Sequence, residues 1–167
     1  TYYDPYQWHM KNINMEEAWE LSTGAGVVVA VIDTGIRQDL EDFADTRFVA
    51  GYDFVNSDDD PEDDEGHGSH VAGTIAQSTD NGTGVAGIAY NCSLMPIKVL
   101  DGNGEGYYSD IADGIYWAVD NGADIINLSL GGSESLQTMK NAVDYAWENG
   151  VVVIGASGNE GASSPTY

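Results

Sequence analysis

The sequence is poor in positive charge. Five Lys and Arg stand against 28 Asp and Glu in 167 residues, and the formal net charge is −23. Coulomb repulsion therefore argues against nucleic acid and against an anionic membrane as partners, whereas cations and basic substrates are favoured. A charged, solvated surface is one explanation of so many carboxylates, and metal binding is the other.

Cysteine and long apolar runs are also scarce. Cys92 is the single cysteine, which excludes an intrachain disulfide, and its apolar neighbours predict a buried strand thiol rather than a nucleophile. No apolar run approaches the length of a transmembrane helix, and no signal-peptide pattern opens the sequence. We therefore expect no membrane partner, and a single domain with a sizeable core.

Apolar runs alternate with helical patterns along the sequence. Strands are predicted at 27–32, 48–55, 94–100, 125–130 and 151–154, and helices at 15–21 and 67–77. Two further helices carry apolar stripes, one through Ile111, Ile115 and Val119 and one through Leu136, Met139, Val143 and Trp147. This alternation predicts an α/β fold with a doubly wound, mainly parallel sheet, helices on both faces and right-handed crossovers.

Polar side chains lie at or after the ends of three of these strands. Asp33 and Asn159 come after apolar runs, and Ser129 lies at the end of one. In a parallel sheet the ligand crevice lies beyond the carboxyl ends of the strands. The sequence therefore predicts that these residues gather at one edge of the molecule, in an active site.

Asp33 and His67 suggest acid–base chemistry. An Asp at the end of an apolar strand is costly to bury without a partner such as an imidazole N–H. His67 lies between two glycines at a predicted helix start, and an imidazole can accept a proton and return it near neutral pH. In this chain order the two residues would be members of a Ser-His-Asp triad. A turn-capping Asp and an ordinary helix-start His are the alternatives.

Five segments together resemble one family. They are Asp4-Pro5-Tyr6, Asp33-Thr34-Gly35, His67-Gly68-Ser69-His70, Asn127-Leu128-Ser129-Leu130-Gly131-Gly132 and Ala156-Ser157-Gly158-Asn159-Glu160-Gly161. In this order they resemble the subtilisin-like serine proteases (subtilases), in particular the thermitase branch. The resemblance implies a subtilisin-like fold and a serine endopeptidase that cleaves peptide bonds through an acyl-enzyme.

The resemblance also implies residue roles. His67 would be the general base and then the general acid, Asp33 would orient it, and Asn159 would donate an amide N–H to the oxyanion. The substrate-binding residues implied are Gly104, Gly106, Tyr107, Ile111, Ser129, Leu130, Gly131, Ala156 and Gly158. Small residues at 156–158 would leave room for large apolar or aromatic side chains at P1.

The run 58–65 has seven carboxylates in eight positions. A divalent cation bound through oxygen would relieve their repulsion, and a solvated loop is the alternative. The resemblance implies Ca²⁺ at Asp53, Asp58, Asp60 and Glu62. It implies a second Ca²⁺ at Asp4, Asp39 and Asn81 with carbonyl oxygens of Ser78, Thr83 and Val85.

The nucleophile of the family lies in a Gly-Thr-Ser-Met-Ala segment, and the sequence contains none. We therefore expect 1–167 to be the N-terminal portion of one secreted catalytic domain, inactive alone, with the Ser on a missing or separate C-terminal portion. An autolytic nick after Tyr167 would explain this, and protein or peptide substrates are expected. One alternative is an inactive calcium-binding pseudoprotease or interaction module. Another is a single-chain enzyme with Ser69 or Ser129 as nucleophile.

Overall fold

A computed structural model describes residues 6–159 and residue 161. Its elements in chain order are α1 (Trp8–Asn12), α2 (Met15–Trp19), β1 (Val28–Asp33), a 3₁₀ helix (Glu41–Phe43), β2 (Arg47–Phe48), β3 (Tyr52–Asp53), α3 (His67–Ala76), β4 (Ser93–Lys98), α4 (Tyr108–Asp120), β5 (Ile125–Leu128), α5 (Gln137–Glu148) and β6 (Val152–Gly155). The strands form one parallel sheet in the order β2–β4–β1–β5–β6, and β3 also pairs with β4. The predicted α/β fold with a parallel sheet is therefore confirmed.

The two faces of the sheet carry separate apolar clusters. On β1, Ala30 and Ile32 belong to the cluster that includes residues of α4 and α5. Val29 and Val31 belong to the cluster on the opposite face, which includes residues of α3. Because helices cover both faces, β1 is apolar from Val28 to Ile32. Asp33 ends this strand on the α3 face.

The single strand predicted at 48–55 is wrong. The structure has two short strands there, β2 beside Ser93 and Leu94 and β3 beside Ile97 and Lys98 of β4. Between these pairs lies Pro96, which has no N–H to donate to a neighbouring strand. The ladder is therefore interrupted between β2 and β3.

The last strand and helix bury less apolar surface than their patterns predict. In β6, Val152 and Ile154 remain 49% and 50% exposed, and Trp147 of α5 is 76% exposed. Within the part of the chain that the structure describes, β6 pairs with β5 alone. Among the described residues, the β6 side of the sheet is therefore an open edge.

Cys92 is buried, as predicted, and burial raises the pKa of its thiol to about 11. A thiol with so high a pKa is a poor nucleophile near neutral pH. Among the described residues, no helix combines the length and the apolar character needed to cross a membrane.

Candidate active site

Asp33 and His67 meet at the carboxyl end of β1. The Asp33 side chain is fully buried, and its Oδ1 lies 2.7 Å from Nδ1 of His67. The backbone N–H of Thr34 donates to the same oxygen at 2.8 Å. Burial raises the pKa of the Asp33 carboxyl, although the hydrogen bond with His67 opposes that rise. Since the carboxylate can only accept, it holds the imidazole in the form with the proton on Nδ1.

His67 is the first residue of α3, and two glycines allow its position. Gly66 has a φ of +114°, a conformation that glycine adopts without strain. A Cβ on Gly68 would lie 2.2 Å from the carbonyl oxygen of Gly35, so no side chain fits there. The helix can therefore approach the end of β1 closely enough for the His67 ring to reach Asp33.

The environment of His67 favours its protonated form. The hydrogen bond with Asp33 is the largest cause that raises the pKa of the imidazole, and the charges of Asp33 and Glu65 add to it. Partial burial acts in the opposite direction but does not cancel the rise. The side chain is 47% exposed, so the ring lies between the buried carboxylate and solvent.

Asp63 supports this geometry, and sequence reasoning did not single it out. It is buried and accepts hydrogen bonds from the Thr34 hydroxyl, from the backbone N–H groups of Glu65 and Gly66, and from the N–H and hydroxyl of Ser69. Burial alone would raise the pKa of Asp63, but these hydrogen bonds together hold it below its usual value. Asp63 thereby fixes the turn that leads into His67. In the sequence it is hidden among the other carboxylates of the acidic run.

A cleft of about 600 Å³ lies beside His67. The structure places six of the substrate-binding residues implied by the resemblance along it: Gly104, Gly106, Ile111, Ser129, Leu130 and Gly131. Gly104 and Gly106 precede α4, and Ile111 lies in its first turn. The other three residues follow β5, so that two segments form the walls of the cleft. An extended peptide fits between such walls and can form backbone hydrogen bonds with them.

Tyr107 was the wrong tyrosine to assign to the cleft. It is 76% exposed and is not one of the residues that line the cavity, whereas Tyr108 lines it. The Tyr108 hydroxyl accepts a hydrogen bond from the backbone N–H of Glu134 at 3.3 Å. Tyr107 is the N-cap residue of α4 and has an extended backbone, whereas Tyr108 is the first residue of the helix.

A second cavity of about 390 Å³ adjoins the cleft and shares Tyr108, Ile111, Leu130 and Gly131 with it. Ala156 lies on its wall, and Ala156 N–H donates to the Leu128 carbonyl at 3.1 Å. Gly158 and Asn159 continue the same loop after β6, both exposed. The expected P1 wall and oxyanion donor therefore follow β6, which is separated from β1 by β5 in the sheet.

Neither alternative serine has a hydroxyl directed to His67. Ser69 is buried, and its hydroxyl donates to Asp63 Oδ2 at 2.6 Å and accepts from the Arg37 N–H at 2.9 Å. Ser129 lines the cleft, and its hydroxyl accepts from Asn127 Nδ2 at 2.9 Å. Both hydroxyls have structural partners.

Comparison with known proteins decides the family. The model of the subtilase family matches residues 24–167. The chain belongs to the subtilase family. It is 47% identical over 165 residues to a thermophilic serine proteinase of Bacillus sp. (strain AK1) and 41% identical over 168 residues to thermitase of Thermoactinomyces vulgaris, covering 98% of this chain in both cases. A solved protease structure from Pseudoalteromonas arctica PAMC 21717 superimposes with a TM-score of 0.79 at 41% identity, covering 88% of this chain.

The chain spans only part of these subtilases. The matches cover 41% of the Bacillus proteinase, 60% of thermitase and 54% of the Pseudoalteromonas protease. These three proteins are proteases by name, and the Asp33–His67 pair is consistent with that chemistry.

Of the first expected set of calcium ligands, hydrogen bonds link Asp53, Asp58 and Asp60. Asp53 is buried, and both of its oxygens accept hydrogen bonds from Asn56 at 2.9 Å. Asp58 exchanges backbone hydrogen bonds with Asp53, and its Oδ1 accepts from the Asp60 N–H. Among the residues that the structure describes, no three acidic, His or Cys side chains converge on one point. Asp53 therefore fits a metal less well than its sequence position suggests.

The second expected calcium set requires a correction. Asp39 is exposed, and its Oδ1 lies 3.8 Å from Arg37 Nε. The carboxylate against that loop is Asp42, which is buried, lies 3.4 Å from Asn81 Nδ2 and accepts the Val85 N–H at 3.0 Å. Asp42 lies in the 3₁₀ helix, which turns it inward and leaves Asp39 outside. Its position just before Phe43, an apolar residue, is the signal that could have identified it.

The structure places the remaining members of that set in one loop. Ser78 is buried, and Asn81, Thr83 and Val85 follow it in the segment 78–85. Asn81 Oδ1 accepts the Thr83 N–H at 3.0 Å, which closes the loop on itself. Asp4 lies outside the described residues. A carboxylate, an amide and backbone carbonyls form a donor set that suits Ca²⁺.

Proposed function

We propose that this chain supplies the Asp, the His and the oxyanion Asn of a secreted, calcium-stabilised serine endopeptidase. The observation that carries the proposal is the 2.7 Å contact between Asp33 Oδ1 and His67 Nδ1 beside a cleft of about 600 Å³ in a subtilase chain. In that arrangement His67 Nε2 takes the proton of an attacking serine hydroxyl and later gives it to the leaving amine. Asp33 stabilises the imidazolium that forms between these steps.

The cleft supports a preference for large apolar or aromatic P1 side chains. The adjoining cavity of about 390 Å³ is lined largely by aliphatic and aromatic side chains together with the small residues Gly155 and Ala156. Small wall residues leave volume for a large substrate side chain, and apolar walls stabilise it by removing it from water. Asn159, in the same loop, would donate to the oxyanion of the tetrahedral intermediate.

We infer that the partner of the β6 edge is the C-terminal portion of the same protease. Val152 and Ile154 are about half exposed on this strand, and an open parallel edge with apolar side chains favours another strand or a cover. The matched relatives are longer than this chain by a large fraction of their length. That additional portion would carry the nucleophilic serine to His67.

The decisive experiment uses a serine-directed fluorophosphonate probe on the full-length protein purified from culture medium. We expect stoichiometric labelling, with mass spectrometry placing the adduct on a Ser in a Gly-Thr-Ser segment outside residues 1–167. Recovery of that segment as a separate polypeptide would support a nicked enzyme. A panel of peptides that differ only at P1 should show faster cleavage after Phe, Tyr or Leu than after Gly or Asp.

Absence of labelling at every calcium concentration would contradict the proposal. It is the result expected of the second candidate, a non-catalytic calcium-binding or interaction module. Labelling of Ser69 or Ser129 would instead support a single-chain enzyme. Recovery of the protein in the cell pellet but not in the medium would contradict secretion and leave the rest of the proposal standing.

We also propose that Asp42 and Asn81, with carbonyl oxygens of Ser78, Thr83 and Val85, hold a Ca²⁺ ion. The buried Asp42 carboxylate has no Lys or Arg partner among the described contacts, so a cation would supply the missing counter-charge. The ion would tie the 3₁₀ helix to the loop 78–85. It stabilises the folded protein without taking part in the reaction.

Removal of Ca²⁺ with EGTA should lower the melting temperature of the full-length protein. A ligand present at 100 times its Kd stabilises by about 2.7 kcal/mol, which corresponds to roughly 5–10 °C for a domain of this size. Asp42→Ala should abolish this calcium dependence in differential scanning calorimetry. Asp39→Ala is the matched control, because Asp39 lies outside the loop, and it should retain the full response.

A full calcium response in Asp42→Ala would contradict this site. If Asp58→Ala removed the response instead, the acidic run 58–65 would be the calcium site. Subtilase activity is measured in parallel at low temperature, where both variants are folded, so that stability and catalysis are separated.

A further inference from the structure

Lys98 is a buried cation that the proposed reaction does not use. It is the last residue of β4, only 1% of its side chain is exposed, and it lies beside Asp33 in the register of the sheet. A buried ammonium group is costly unless its three N–H donors find acceptors. They find the carbonyl oxygen of Thr34 at 2.6 Å, that of Leu100 at 3.0 Å, and Oδ1 of Asp64 at 2.5 Å. All three donors are satisfied.

These acceptors belong to the three segments that build the active site. Thr34 directly follows Asp33, Leu100 lines the substrate cleft, and Asp64 lies in the turn that leads to His67. Asp64 is itself 57% exposed, so the ammonium group reaches from the sheet to the surface loop. The Lys98 side chain thereby connects the end of β1 next to Asp33, the turn before His67, and a wall of the cleft.

Thr34 transmits this anchoring to the catalytic pair. Its N–H donates to Asp33 Oδ1, the same oxygen that contacts His67 Nδ1. Its hydroxyl oxygen accepts the N–H of Gly68, the second residue of α3, at 2.9 Å. Because its carbonyl oxygen is held from the other side, Thr34 cannot rotate without disturbing both the carboxylate and the start of the helix.

We propose that Lys98 is a positioning residue for the Asp33–His67 pair. It acts through the Thr34 carbonyl and the Asp64 carboxylate and does not touch the substrate. The inference rests on the proposed function in so far as the task of the pair is proton transfer. Misplacement of a catalytic group by about 1 Å costs on the order of 10²-fold in rate, and this is the size of effect expected when the anchor is removed.

The test is Lys98→Met in the full-length protein, which keeps an unbranched apolar stem of similar length and removes the donors. We expect kcat to fall about 10²-fold while KM stays near the wild-type value. The far-downfield proton NMR signal of the His67 Nδ1–H should weaken or disappear. Ile115→Ala is the matched control, since Ile115 is fully buried in α4, in the apolar cluster on the face of the sheet opposite to Asp33. It should lose stability and yet keep kcat and the NMR signal.

A folded Lys98→Met protein with wild-type kcat and an unchanged NMR signal would overturn the inference. A loss of both kcat and the NMR signal in the Ile115→Ala control would also overturn it, because destabilisation alone would then explain the result. If Lys98→Met does not fold, Lys98→Gln decides. Its amide keeps two N–H donors, and it should show an intermediate kcat, whereas wild-type kcat would again overturn the inference.

The two proposals fail in different ways. If the wild-type protein neither hydrolyses peptides nor reacts with the fluorophosphonate probe, the proposed function is wrong. The NMR comparison of wild type and Lys98→Met still measures the Asp33–His67 hydrogen bond in that case. If the wild type is active and the variant unchanged, only the role of Lys98 is wrong.

Discussion

His67→Ala should reduce kcat of the full-length protein by roughly 10⁶-fold, the size known for the corresponding change in subtilisin. Without the imidazole, no group accepts the serine proton when the tetrahedral intermediate forms. Substrate binding depends mainly on the walls of the cleft, so KM should change little. Steady-state hydrolysis of a peptide with Phe at P1 measures both constants. The residual rate is that supplied by the cleft and the oxyanion donor.

The chain offers a matched control in His70. It lies one turn further along α3, and it is exposed. His70→Ala therefore removes an imidazole from the same helix without touching the Asp33–His67 contact, and it should retain wild-type kcat. Comparable losses in both variants would show that the helix, and not the His67 ring, is the sensitive element. Wild-type activity in His67→Ala would refute the proposed mechanism outright.

Asp33→Asn should lower kcat by about 10⁴-fold, because the amide no longer holds the imidazole in the tautomer that leaves Nε2 as the base. The hydrogen bond to Asp33 is also the largest cause that raises the pKa of His67. His67 acts as a base only when neutral, so wild-type kcat/KM should fall as the pH drops through this raised pKa. In Asp33→Asn the acid limb of the pH profile should move to lower pH.

Asp113→Asn is the control for this experiment. It makes the same change at an exposed position on α4 and should alter neither kcat nor the acid limb. An unshifted acid limb in Asp33→Asn would mean that Asp33 does not set the pKa of His67. A loss of less than about tenfold would mean that His67 is oriented by another group.

Short-range patterns explain why much of the fold could be predicted. Strands covered on both faces are apolar throughout, so β1, β4 and β5 are recognisable without partners. Asp33 and His67 are recognisable for the same kind of reason, since a carboxylate after a buried strand and an imidazole between glycines are unusual locally. The break between β2 and β3 was missed because it depends on Pro96 in a different strand.

The errors at the site fall between close neighbours in the sequence. Tyr108 and not Tyr107 lines the cleft, and Asp42 and not Asp39 lies against the Asn81 loop. Each pair consists of side chains of similar or identical chemistry one to three positions apart. Which member points inward depends on where a helix or 3₁₀ turn begins, and that is set by packing. The sequence alone cannot distinguish the two members of each pair, because their side chains are chemically the same.

The sequence by itself determined the parallel α/β architecture, the subtilase family and the Asp33–His67 pair. These follow from residue order and local periodicity, which can be read from the sequence without knowledge of tertiary contacts. Only the tertiary structure decided that Lys98 is buried with three acceptors, that Asp63 fixes the turn before His67, and which Tyr and Asp face the site. These facts depend on contacts between residues 26 or more positions apart, such as Thr34 with Asp63, Lys98 with Thr34, and Tyr108 with Glu134. Such contacts exist only once the sheet and its helices have packed together.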